Sequence, residues 1–461
     1  MPVDTTHPDY DQAAPFWERL RDAAEGEDAV RAKGSTYLPP PPGLKGGVSG
    51  RAFETYLKRA RYPEAVGPTI EGMLGLMDRV PPSVDLPSGI EYLRSEATPD
   101  GLTLDGLLKR IRHNVCTVAR HVLLVDVLEG EQSPRIASYD PEALINWRCE
   151  DGKVTLAVLH EPARQPKDDD PYVEETVDQY RVCYLDDDGR YAMDLFRRVQ
   201  SDQTGETRFE PVRETAYPTR RGDYLDEVPL VIIGSRDLTA EPDAMPLLGV
   251  ANKSLHYYRQ YADYAQQLSL SSMGTTAYVT GVGPDDDQAP QTVGPGTIWY
   301  LPENADCGYL EISGAGLDAQ RQELDRIQRE IATAAVQALG DKGNEAESGE
   351  ALRLRMQSQT ATLSSIATTT AAGLREALAW CAWWDGQDEA SVTVEQGTSF
   401  VSEQPDSQLL TALFDGIERG LVPIHLIPRY LRSTGITDEN EQELMRWMPS
   451  AQAATADEDE L

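Results

Sequence analysis

Lysine, histidine and cysteine are scarce in this chain of 461 residues, which holds eight Lys, six His and five Cys. The cysteines, at 116, 149, 183, 307 and 381, are dispersed with no CxxC pair, so neither a disulfide framework nor a zinc site is implied and a reducing compartment is expected. Only His113, Cys116 and His121 lie close together. On a helix His113 and Cys116 share a face, but His121 lies far round and no carboxylate completes a ligand group, so they read as ordinary helix residues. No run approaches 18 apolar residues, and the start, MPVDTTHPDYD, lacks a basic then apolar stretch, so the expectation is a soluble protein without membrane span or signal peptide. There is no P-loop, GxSxG, HExxH or kinase set, and catalysis therefore has no support from motifs.

Acidity is what the chain has in abundance. Its 77 acidic and 42 basic residues give a net charge of −35. Such a chain is unsuited to coating nucleic acid, because that affinity comes from Lys and Arg displacing counterions from phosphate. A hydrophobic fraction of 40%, with seven Trp and 20 Tyr, is enough to build folded cores. Asp runs at 168–170, 186–188 and 285–287 sit beside Pro or Gly without EF-hand spacing, and read as solvated turns. The stretch Gly314-Ala315-Gly316-Leu317-Asp318-Ala319 follows a strand and opens a helix, as a dinucleotide site would. Asp318 would repel a pyrophosphate there, so the preferred reading is a tight turn with Asp318 as an acidic N-cap.

Helical spacing runs through 9–33, with Phe16, Leu20, Ala24 and Val30 on one face. Ser49 reads as the N-cap of a helix carrying Phe53, Leu57 and Ala60, and a short helix with Ile70, Leu74 and Met77 ends at Pro81-Pro82. Leu104 to Val122 is helical and gives way to a strand over 122–128. Further strands are expected at 154–159, 177–185, 191–199 and 228–233, with Asp187-Asp188-Gly189 as a hairpin turn. A long helix over 246–272 comes next, then strand-like pieces at 276–281, 297–301 and 308–312. Helices over 318–339 and 349–384 flank the polar loop 340–348. The stripe of the last helix is Leu352, Met356, Leu363, Ile366, Leu374 and Leu378, with a kink expected at Thr368–Thr370 and Gly373. A strand at 392–400, helices over 406–447 and an unstructured acidic tail complete the chain. The fold class is α+β, mainly helical, with a β-rich subdomain.

This order resembles the portal, or head-to-tail connector, proteins of tailed phages. The resemblance is carried by PLLGVANKSLHYYRQYADYAQQL, GTIWYLPENADCGYLEISGAGL, LDAQRQELDRIQREIATAAVQAL and GDKGNEAESGEALRLRMQSQ. HPDYDQAAPFWERLRDAAEG, YLPP, FETYLKRA, TIEGMLGLMDRVPP, YDPEALINWR, QYRVCYL and QLLTALFDGIERGLVPIHLIPRYLRSTGI extend it over most of the chain. It implies a wing over 1–245, a first stem helix at 246–272, a clip at 273–316 and a second stem helix at 317–339. It also implies a tunnel loop at 340–348, a tunnel helix at 349–385, a wing strand at 386–403, crown helices at 404–448 and a tail at 449–461.

The resemblance further implies a closed homo-oligomeric ring, typically a dodecamer, at a capsid vertex of the virion, assembled in the host cytoplasm. Double-stranded DNA would pass through it without sequence specificity, and the terminase, the major capsid protein and a head-tail adaptor would be its partners. No cofactor, metal or membrane is implied. Residues 284–350 carry 14 Asp and Glu against four Arg and Lys, a net of −10, which would line a channel with charge that repels phosphate. Asp341, Asn344, Glu345 and Glu347 are the expected channel-facing residues, and Lys342 the one able to touch phosphate. The clip loop Asp285, Asp286 and Asp287 is the expected docking surface. The rival readings are a nucleotide-binding or hydrolytic enzyme built on the Gly314 turn, and another tail or baseplate ring protein.

Overall fold

A computed structural model of the chain describes residues 2–42, 50–127, 133–167, 170–200, 207–272, 277–281, 283, 298–309, 315–339, 349–397, 411, 413–415, 417 and 427. The chain divides into two units, one made of residues 1–75 and 82–395, the other of 76–81 and 396–461. In the second unit the Gln396 side-chain amide donates to the Val80 carbonyl at 2.7 Å. The first unit is α+β, with helices at either end of a run of antiparallel strands.

The helical stretch expected over 9–33 is two helices, α1 (Pro8–Glu25) and α2 (Glu27–Ala32), parted at Gly26. Gly26 holds a φ of 109°, open to glycine and strained for other residues. The buried face is also turned from the expected one. Trp17, Leu20, Ala23 and Val30 are buried, whereas Phe16 is 38% exposed beneath the Arg19 guanidinium. Fully burying Trp17, the larger ring, sets the phase of the helix. Next come α3 (Arg51–Arg59) and α4 (Val66–Asp78). The N-cap of α3 is Gly50 rather than Ser49, which lies outside the described residues.

A short strand β1 (Ser83–Asp85) precedes α5 (Leu104–Val118), whose N-cap Thr103 accepts a hydrogen bond from the Gly106 amide. The strands β2 (Arg120–Val127), β3 (Pro134–Tyr139), β4 (Leu144–Glu150) and β5 (Lys153–His160) lead into a two-stranded pair, β6 (Ala163–Lys167) and β7 (Asp170–Val177). Then come β8 (Gln179–Leu185), β9 (Tyr191–Gln200), β10 (Thr207–Pro211), the short pair β11 (Thr219–Arg220) and β12 (Asp223–Tyr224), and β13 (Leu230–Gly234). They form a three-stranded sheet ordered β13-β2-β3 and a five-stranded sheet ordered β10-β9-β8-β5-β4. The Asp187-Asp188-Gly189 turn lies where expected, between β8 and β9. Gly189 has a φ of 76°, and the Asp186 carboxylate accepts from the amides of Asp188 and Arg190.

The second half holds α6 (Leu248–Ser272), β14 (Ala277–Thr280), β15 (Asp306–Tyr309), α7 (Ala315–Leu339), α8 (Gly349–Asp385) and β16 (Thr393–Glu395). Strand β16 pairs antiparallel with β1. Residues 298–301, expected as a strand, carry none. A turn closed by the Ala305 amide on the Pro302 carbonyl comes after them, and the partner of β14 begins only at Asp306. Along α8, Leu363, Ile366, Leu374 and Leu378 are fully buried, as the stripe requires, while the side chains of Leu352 and Met356 lie outside the described ones. Helical structure is continuous through Thr368–Thr370 and Gly373. There Gly373 serves a close approach: a Cβ on it would lie 2.4 Å from Cγ1 of Ile233 on β13.

A buried polar network ties these layers together. His121 on β2 sits 3.0 Å from both the Asn114 side-chain nitrogen and the Ser138 hydroxyl. Asn114 donates to Asp140 at 2.8 Å and accepts from Arg21, which is also paired with Glu142. Burial drives the His121 pKa down to about 3, which keeps the ring neutral. His113, by contrast, is exposed and Cys116 buried, so the three residues do not form a ligand group. No cluster of three or more metal-ligating side chains occurs among the described residues.

Candidate functional site: the paired helices and their hairpin

Helix α6 has one face committed to the N-terminal helices. Its residues Val250, Ala251, Ser254, Leu255, Tyr258 and Ala262 are buried at the helical spacing of a single stripe. Polar clamps fix the same side. Asn252 accepts from Arg19, Arg259 donates to the Tyr37 carbonyl at 2.8 Å, Asp263 accepts from the Tyr56 hydroxyl at 2.6 Å, and Gln266 accepts from Arg59 at 2.8 Å. A second face carries Tyr257, Tyr261 and Tyr264, whose rings succeed one another at 5.9 and 6.3 Å.

Helix α7 lies antiparallel against α6. Lys253, early in α6, shares a cleft with Arg329, Thr333 and Gln337, late in α7, whereas Tyr257, farther along α6, lies within electrostatic reach of Asp325. Burial, Tyr261 and that carboxylate together raise the Tyr257 pKa. The apolar stripe of α7 is narrow: among its described side chains just Leu324, Ile327 and Ile331 are buried, and the others are half-buried or exposed. At 25 residues each, α6 and α7 are rods of about 37 Å. The chain passes from one to the other through the antiparallel pair β14–β15. From α7 it enters α8, 37 residues or about 55 Å long, whose Ala361 and Ser365 border a cleft with Ala334 and Gln337 of α7 and Val250 of α6. Ser365 is fixed there by donating to the Ser235 carbonyl at 2.8 Å.

The charge is unevenly spread over this assembly. Within α7, Asp318, Glu323, Asp325 and Glu330 face Arg321, Arg326 and Arg329, a net of −1. Arg326 bonds both Glu323 and Glu330, and Arg321 lies 3.6 Å from Asp318. The rod thus neutralises itself. Residues 284–314 contribute six acids and no base, and residues 340–350 four acids and one Lys, so nine of the ten excess negative charges fall in the segments at the two ends of α7. Asp318, expected as an N-cap, stands inside the first turn, because the helix already begins at Ala315. A carboxylate is favourable there and unsuited to cradling phosphate.

The expected channel residues Asp341, Lys342, Asn344, Glu345 and Glu347, and the docking residues Asp285, Asp286 and Asp287, lie outside the described residues. In sequence the first group falls between α7 and α8 and the second between β14 and β15. The clamps of α6 onto Tyr37, Tyr56 and Arg59 were not foreseen, because they join residues more than 200 positions apart.

A family described as Domain of unknown function (DUF4055) matches residues 246–385, from just before the start of α6 to the end of α8. No curated protein matches the chain. Among solved structures, a chain from the virion of the native gene transfer agent particle matches with a TM-score of 0.35 and 12% identity, covering 91% of this chain and 99% of that one. Another, from the neck of the native particle computed with C12 symmetry, matches with a TM-score of 0.35 and 12% identity over 92% of this chain and 99% of that one. No helix among the described residues is long and apolar enough to cross a membrane.

Proposed function

We propose that this chain is a portal subunit: copies of it close into a ring at a capsid vertex, and double-stranded DNA passes through the central channel during packaging and ejection. The observation that carries this reading is the pair of antiparallel rods, α6 and α7, joined through β14–β15 and continued by the longer α8. The charge distribution supports it. A self-neutralised rod with acidic segments at both ends gives a passage that repels phosphate where the chain reverses, and holds little adhesive positive charge elsewhere. In this reading Asp341, Asn344, Glu345 and Glu347 face the duplex, Lys342 touches phosphate transiently, and the Asp285–Asp287 segment meets the terminase and then the adaptor. The role is structural rather than catalytic.

Electron microscopy of the purified full chain tests the proposal. Rings with a central opening wide enough for a duplex are expected. A preparation holding only single copies at every concentration and salt tried would falsify it.

A further inference from the structure

Strands β5 and β8 continue past the sheet that contains them. Their pairing runs in one unbroken register from Leu156 opposite Tyr184 through His160 opposite Tyr180, and is carried on by the Glu161 amide donating to the Gln179 carbonyl at 2.7 Å. It proceeds into β6 and β7, from Ala163 opposite Val177 to Pro166 opposite Glu174. The flanking strands stop short: β4 accompanies β5 only to Leu159, and the last bond from β9 is that of the Arg198 amide to the Asp178 carbonyl, just before β7 ends at Val177. Beyond that line a two-stranded ribbon some six residues long, about 20 Å, has no strand on either side among the described residues.

Such a ribbon is marginal in water by itself. Its edges also resist strand addition, since Pro166 and Pro171 lack amide hydrogens and both strands carry charged residues, Arg164 and Lys167 on one and Asp170, Glu174 and Glu175 on the other. Near its end the register slips between Pro166 and Lys167, so that Pro171, Tyr172 and Val173 are looped out of the ladder. Tyr172 is 96% exposed and Val173 47% exposed. From 163 to 177 five acids face two bases, a net of −3. The same unit carries the opposite charge at α3 and the two residues after it: four bases and one acid over 51–61, a net of +3, with Arg51, Lys58 and Arg61 exposed. Lys58 and Arg61 each touch a single carboxylate of their own chain, those of Glu54 and Glu27.

We propose that the β6–β7 ribbon is an arm that lies on α3 of a second copy of the chain. Tyr172 and Val173 supply its apolar anchor, and Asp170 and Glu174 face Arg51, Lys58 and Arg61. The contact is made by side chains rather than by strand addition, and it rests on the ring reading above.

The test uses the full chain with a photo-reactive amino acid at position 172, in mixtures of isotopically light and heavy copies. Cross-links between copies that fall within residues 51–61 are expected. In parallel, a Tyr172→Ala, Glu174→Lys variant is expected to raise the concentration at which rings dissociate by roughly tenfold or more, and adding Arg51→Glu and Lys58→Glu to Glu174→Lys is expected to restore part of the loss. Rings that dissociate like the wild type, with cross-links confined to one copy or absent from 51–61, would overturn the arm and leave the ring standing. A wild-type chain that never associates would remove both.

Discussion

His121 shows what burial does to a single side chain. Its ring sits between Asn114 and Ser138 with its pKa driven down to about 3 from an ordinary 6.5, so the folded chain refuses a proton that the unfolded chain accepts. Between these values the unfolded state binds more protons, and stability falls as pH drops through that window. At pH 5 the loss from this one residue is about 2 kcal/mol. Denaturant midpoints measured between pH 7 and 5 should fall less steeply in His121→Gln than in the wild type, and equal slopes would show that the residue is solvated. Its role could not be read from its spacing to His113 and Cys116. Of its two partners, Ser138 comes from β3 and meets it only once β2 and β3 pair, and Asn114 on α5 is itself held by donating to Asp140.

At the scale of elements, Gly373 marks a close approach of α8 to the three-stranded sheet. A Cβ there would lie 2.4 Å from Ile233, and a larger side chain must push helix and strand apart. Gly373→Val is expected to destabilise by about 1–3 kcal/mol, measurable as a drop in Tm, and an unchanged Tm would mean that the contact is loose. Element type was legible wherever one period dominated. The stripe Leu363, Ile366, Leu374 and Leu378 and the turn at Asp187-Asp188-Gly189 both express local rules. Gly26, by contrast, divides a stretch whose helical periodicity hides the break, and the strands β3, β4, β6 and β7 escaped because their alternation is diluted by Pro and by charge. The phase of α1 followed Trp17, which is fully buried, rather than Phe16, which stays exposed, and spacing alone does not distinguish the two.

For the whole molecule, the two rods were legible as long helices flanking a region rich in Gly and Pro, while their antiparallel course was implied by the resemblance alone. The residues proposed to meet DNA rest on the sequence, since they fall in segments between the described elements. Lys342 is the sole base among residues 340–350, opposed by four acids. In the proposed channel, Lys342→Glu removes the one cationic contact and is expected to lower the fraction of particles that retain a full-length genome, as read by the size of packaged DNA. Unchanged packaging and retention would take Lys342 out of the passage. The three-residue ladder between β1 and β16 bears on how the chain folds as it is made. Ser83 pairs with Glu395 and Asp85 with Thr393, so the first unit cannot be finished until nearly four hundred residues have left the ribosome. A nascent chain cut short before that point lacks the strand that closes onto β1, so this ladder forms only once β16 has been made.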